Sequence, residues 1–155
     1  MLTPNQKTII DLLIEQEKLL AQLYAVFSEK FTEHGKFWKK LSREEHGHAK
    51  WLEQLYEAGE KDIVHFDEGR ITPFSLGTFI SGVKDAIHSA ESEQMDQKAA
   101  FIRTADLERS LIEKNVFSCF NGLTDKAINA LGFLEKQTQE HLAQAESLRE
   151  KLQSS

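Results

Sequence analysis

Apolar residues recur at alternating spacings of three and four over four long stretches of this chain, which is the period of a buried helical face. Ile10, Leu13, Leu20, Tyr24, Phe27 and Phe31 share one line in the first stretch, and Leu41, Leu52 and Leu55 in the second. The third gives Phe101, Ala105, Ile112 and Cys119, and the fourth gives Ala127, Leu131, Leu134, Ala145, Leu148 and Leu152. The only prolines are Pro4 and Pro73, and the stretches between turn signals are rich in Leu, Ala, Glu, Lys and Gln, so the chain reads as all-α.

Capping signals predict the boundaries. Thr3 and Pro4 open a first helix that runs to about His34, where Gly35 suits a left-handed stop. A second helix spans about Lys36 to Ala58 and ends at Gly59, and a third covers roughly Met95 to Phe120 before Asn121-Gly122. A fourth starts at a Thr124 cap and continues to about Leu152. Short turns inside each pair predict two antiparallel hairpins. The connection between the second and third long helices is different, because it runs from "GEKDIVHFDEGRITPFS" through a short helix "LGTFISGVKDAIHSA" and can cross the whole bundle. Four helices with one long central crossover form a ferritin-like four-helix bundle rather than a simple up-down one.

Each apolar line is interrupted near its middle. Glu17 interrupts the first, Glu45 and His48 the second, Glu108 and Asn115 the third, Thr138 and His141 the fourth. Leu or Ile would pack better at such positions. Within the run "REEHGH", Glu45 and His48 lie three apart on one face and point inward, whereas Glu44 and His46 fall away from it and are expected in solvent. The two hairpins also echo each other, since Glu17, Glu45 and His48 are followed by Glu108, Thr138 and His141 at nearly the same separations. That pseudo-twofold repeat brings the polar positions to one level.

A single Glu or His in such a line is ordinarily a boundary residue or a hydrogen-bonded core residue. Three carboxylates and two imidazoles converging without Lys or Arg are harder to accommodate, because buried like charges cannot all stay ionised without a cation. A metal is the economical cation, and carboxylate with imidazole at helical spacing in a four-helix core is a ligand set for two iron or manganese ions. His34, His65 and His88 fall at a helix end, in the crossover and in the short helix, and are expected on the surface or in loops. Tyr24 lies one heptad after Glu17, where its phenol either hydrogen-bonds a ligand of the opposite hairpin or serves as a core aromatic.

Composition narrows the setting. The 155 residues suit a single domain spanning 1–155, and the net charge of −6 without a basic stripe argues against nucleic acid or an anionic membrane surface as partner. No apolar run approaches the roughly 18 residues that span a bilayer, and the first residues do not look like a signal peptide. Cys119 is the only cysteine, which excludes an internal disulfide or thiolate metal site and fits a reducing, cytoplasmic location.

"LSREEHGHAKWL", with Glu45 and His48, and "EKLLAQLY", with Glu17 and Tyr24, resemble the rubrerythrin branch of the ferritin-like superfamily over nearly the whole chain. The resemblance implies Glu17 and Glu108 as terminal carboxylate ligands, Glu45 as a bridging carboxylate, and His48 and His141 as nitrogen ligands. The departure is "TQEH", where Thr138 stands in place of a second bridging Glu, with Gln137 and Glu140 off that face. The four-cysteine rubredoxin-like site of that family is also missing, so electrons would come from an external donor. The implied chemistry is reduction of peroxide, or oxidation of ferrous iron by peroxide or oxygen, on a di-iron centre with Tyr24 in a catalytic role; manganese and zinc are alternative metals. The other readings are an iron-handling protein without turnover and an interaction-only bundle with a degenerate site. The long crossover leaves open a homodimer that exchanges helix pairs.

Overall fold

The computed structural model describes residues 1–92 and 94–153, and the chain is all-helical. Among the described residues there are five α-helices: α1 (Pro4–Lys30), α2 (Gly35–Glu60), α3 (Pro73–Glu91), α4 (Gln97–Lys114) and α5 (Asp125–Gln153). Two short strands, β1 (His65–Phe66) and β2 (Phe120–Asn121), pair antiparallel with Phe66 opposite Phe120. No described helix is long and apolar enough to cross a membrane.

Helix starts follow the sequence signals. Thr3 and Gln6 form a reciprocal capping box with Pro4 in the first turn, and Thr72, Ser75 and Pro73 repeat it at α3. Thr124 Oγ1 accepts from the Ala127 N–H at 3.2 Å and caps α5 as expected.

Helix ends depart from them in α1, α2 and α4, whereas α5 ends at Gln153, next to the expected Leu152. The first helix stops at Lys30, and a 3-10 turn over Thr32–His34 leads straight into α2. Gly35 is right-handed, at φ −57°, and its value lies in close approach: a Cβ there would stand 3.0 Å from the Ser28 carbonyl oxygen. Gly59 likewise sits inside α2, where a Cβ would press on the Leu2 side chain at 3.0 Å. The largest difference concerns the third expected helix. It ends at Lys114 rather than Phe120, because Asn115 turns left-handed at φ 45° and the chain continues as a 3-10 turn over Val116–Cys119 into β2. The Phe66 and Phe120 rings meet at 4.8 Å, and the Asp67 N–H donates to the Cys119 carbonyl at 2.8 Å. Pairing with the crossover therefore prevails over a helical period that continues in the sequence. Asn115, expected in the buried line, is an exposed cap, and the buried line of α4 is Phe101, Thr104, Ala105, Glu108 and Leu111.

α1 and α2 run antiparallel, as the Lys7–Glu60 and Lys18–Glu53 ion pairs and the bond from Ser42 Oγ to the Ala21 carbonyl show. α3 lies along α1, and α4 packs on α5. Buried apolar residues fall into two groups. One unites Ile9, Ile10, Leu13, Leu52, Leu55, Phe66, Phe120, Leu131 and Leu134, while the other unites Leu20, Leu23, Tyr24, Phe27, Trp38, Leu41, Phe101 and Leu107. On α1 the division falls between Leu13 and Leu20, and on α2 between Leu41 and Leu52. Glu17, Glu45 and His48 occupy that division.

Candidate metal centre

Four helices feed the polar layer between the two apolar groups. Glu17 comes from α1, Glu45 and His48 from α2, Glu108 from α4, and Thr138 and His141 from α5, and all six are buried. The five ionisable residues among them are no more than 5% exposed. Every residue expected as a ligand thus lies in the layer.

Glu45 organises it. Its Oε2 lies 3.1 Å from His48 Nδ1, and its Oε1 lies 3.8 Å from His141 Nδ1, so one carboxylate turns an oxygen to each imidazole. Glu17 Oε2 approaches His48 Nδ1 at 4.0 Å, and Glu108 Oε2 approaches His141 Nδ1 at 3.7 Å. Two triads result, Glu17–Glu45–His48 and Glu45–Glu108–His141, each with one ligand atom per residue converging within 4.8 Å. Glu45 belongs to both.

The electrostatics of the bare layer are unfavourable. Burial, reinforced by the Glu45 charge, pushes the Glu17 carboxyl well above its usual range, and burial together with Glu108 does the same to Glu45. Burial opposes charging of His141, but the Glu108 and Glu44 carboxylates outweigh it and raise its pKa. Glu17 Oε2, Glu45 Oε1, Glu108 Oε2 and His141 Nδ1 are buried without a hydrogen-bond partner among the described residues. Orphaned buried polar atoms are costly. Glu45 Oε1 and Glu108 Oε2 turn to His141 Nδ1 while Glu17 Oε2 turns to the His48 ring, and no described Lys or Arg forms an ion pair with Glu17, Glu45 or Glu108. Such a donor set of hard oxygens and imidazole nitrogens fits one or two divalent transition ions.

The remaining ring nitrogens have partners that the sequence pattern did not suggest. Glu44 Oε2 bonds His141 Nε2, and Gln137 Oε1 lies 3.4 Å from His48 Nε2. Glu44 is therefore not free in solvent as expected, and Gln137, although off the inward face, reaches the imidazole across from it. Each precedes an inward position by one residue, Glu45 or Thr138, and each crosses between α2 and α5. The signal was the pseudo-twofold repeat itself, extended by one residue. Histidine ligands are typically oriented in this way through the second ring nitrogen.

Tyr24, buried in α1, donates its hydroxyl to Glu108 Oε1 at 2.7 Å across the two hairpins. Its hydroxyl thus meets a ligand candidate, Glu108, rather than the centre of the layer. His34 packs edge-on against Phe101 at 5.2 Å, and His46, His65 and His88 are exposed. None of them approaches the layer. Thr138 donates to the Leu134 carbonyl at 3.3 Å and brings no charge. Beside it opens a cavity of about 170 Å³. No family model, curated protein or solved structure matches the chain, so the geometry of this layer carries the reading of its chemistry.

Proposed function

We propose that this chain is a rubrerythrin-like protein of ferritin-like architecture, in which α1, α2, α4 and α5 form the four-helix bundle, α3 belongs to the crossover, and the polar layer holds two non-haem iron ions. The observation that carries this reading is Glu45, which offers one oxygen to each of the two triads. In this assignment His48 and His141, through Nδ1, together with Glu17, Glu45 and Glu108 would hold the ions, with Glu45 common to both triads. Two ferrous ions bound there would supply the two electrons that cleave the O–O bond of peroxide, and an external donor would restore them.

The residues of the chain define the rest of the chemistry. Glu44 and Gln137 hold the imidazoles by Nε2 and so keep Nδ1 turned inward. The Tyr24 hydroxyl keeps its proton on the Glu108 Oε1 side, and Glu108 Oε2 remains available to the layer. The apolar groups above and below leave the cavity beside Thr138 as the opening of the layer, so charge away from that side is balanced locally. Thr138 favours a second reading, an iron-handling protein without turnover, because it deprives the pair of sites of a second bridging carboxylate.

Metal analysis of anaerobically purified protein, followed by ferrous titration and addition of peroxide, tests both. Two bound ions and stoichiometric peroxide-dependent oxidation are expected. Binding without oxidation selects the second reading, and absence of binding, or unchanged binding in Glu45→Leu and His48→Leu variants, overturns the assignment.

A further inference from the structure

The cavity beside Thr138 has two chemically distinct ends. Glu17, His48 and Thr138 line it where it meets the polar layer, and Leu111, Val116 and Phe117 form apolar walls. The exposed Asn115 and Gln139 also line it and mark its way out to solvent. It exists because α4 ends early: the left-handed turn at Asn115 takes the chain away as a 3-10 turn and leaves the Thr138 side of α5 uncovered by helix.

Its volume, about 170 Å³, compares with the cavities of roughly 150 Å³ that admit a benzene-sized molecule. Two divalent ions carry four positive charges, whereas Glu17, Glu45 and Glu108 supply three negative ones. Glu44 is a fourth carboxylate, but it is engaged with the outward nitrogen of His141. The cavity therefore adjoins the place where both charge and bridging oxygens are lacking. Its lining contains no Lys or Arg and includes Glu135, which disfavours phosphate and other multiply charged anions.

We propose that the cavity binds a small monocarboxylate with a short apolar tail, its carboxylate beside Thr138 as the missing fourth carboxylate and its tail against Leu111, Val116 and Phe117. This rests on the metal reading above, since without cations Glu17 would repel the ligand. Binding of the carboxylate and of the second ion are then mutually reinforcing, as linkage requires.

Benzoate is the probe, with benzamide as its uncharged isostere. Ferrous iron is titrated anaerobically into the metal-free protein alone, with benzoate and with benzamide, and the heat of each addition is followed. Benzoate is expected to tighten the second ion by roughly tenfold and benzamide to leave it unchanged. Ile112 also lines the cavity, so Ile112→Trp, which narrows it, and Thr138→Glu, which supplies the carboxylate internally, should each remove the benzoate effect. Two ions that bind equally well with benzoate, benzamide or neither overturn the cavity assignment while the metal reading stands. Failure of iron to bind at all overturns both, and tight benzoate binding to the metal-free protein overturns the proposal that the carboxylate completes the charge of the cations. The benzoate–benzamide contrast uses the unaltered chain and does not depend on either variant folding.

Discussion

The Tyr24 hydroxyl donates to Glu108 Oε1 at 2.7 Å, and this one bond ties α1 of the first hairpin to α4 of the second inside a layer otherwise short of donors. Both groups are buried. Tyr24→Phe removes the donor and leaves Glu108 with two unsatisfied oxygens instead of one. The metal-free chain should lose about 1–3 kcal/mol, the usual cost of an orphaned buried acceptor, as read by denaturant unfolding. With metal bound the loss should shrink, because Glu108 then has a cation. An equal loss in both states would mean that Tyr24 serves packing alone.

Glu44 should matter as much as its neighbour His46 does not. Glu44→Gln weakens the carboxylate that orients His141 through Nε2, and a change of this kind ordinarily lowers metal affinity by roughly 10- to 100-fold. His46 is exposed, and His46→Gln should leave affinity unaltered. Competition titration with a chromophoric chelator compares the two variants, and similar behaviour in both would remove Glu44 from the site.

Stability of the metal-free chain should rise as pH falls. Glu17 and Glu45 have carboxyl pKa values raised by burial and by neighbouring carboxylates, so the folded state holds protons that the unfolded state releases. Their contribution is full below the ordinary value of 4.5 and is lost as pH climbs through the folded value. His141, also raised, has the same sign: its contribution is present below 6.5 and is lost above its folded value. The melting temperature should thus be higher near pH 5.5 than near pH 8 in the presence of chelator. Metal-loaded protein should show the opposite slope, since the ligands bind metal in their deprotonated forms. Glu45→Gln should flatten the chelated series, and a chelated series already flat in the parent would contradict the crowding of these carboxyls.

Thr138→Glu should tighten the second ion by about tenfold, or ~1.4 kcal/mol. The cavity beside Thr138 gives the longer side chain room, so overpacking is not expected to dominate. Anaerobic ferrous titration of parent and variant checks this, and equally tight binding of both ions in each would show that a residue of the parent already supplies the bridge.

Periodicity, with the scarcity of proline, determined the all-helical class and the inward residues Glu17, Glu45, His48, Glu108 and His141, because a helix carries a fixed angle per residue and a polar group on an apolar line faces the core wherever the helix continues, as it does not at Asn115. The caps at Thr3 and Thr124 were equally local, each needing only a side chain and the next turn of backbone. Tertiary structure decided what depends on neighbours from distant sequence. α4 stops at Lys114 because the segment after it pairs with His65 and Phe66 of the crossover, an energy that no local period contains. Glu44 and Gln137 find their imidazoles because α2 and α5 approach closely enough for residues at the edge of each face to cross. The cavity at Thr138 follows from both facts together: a small side chain on α5, readable in sequence, meets a helix that ends early, which only the packed chain reveals.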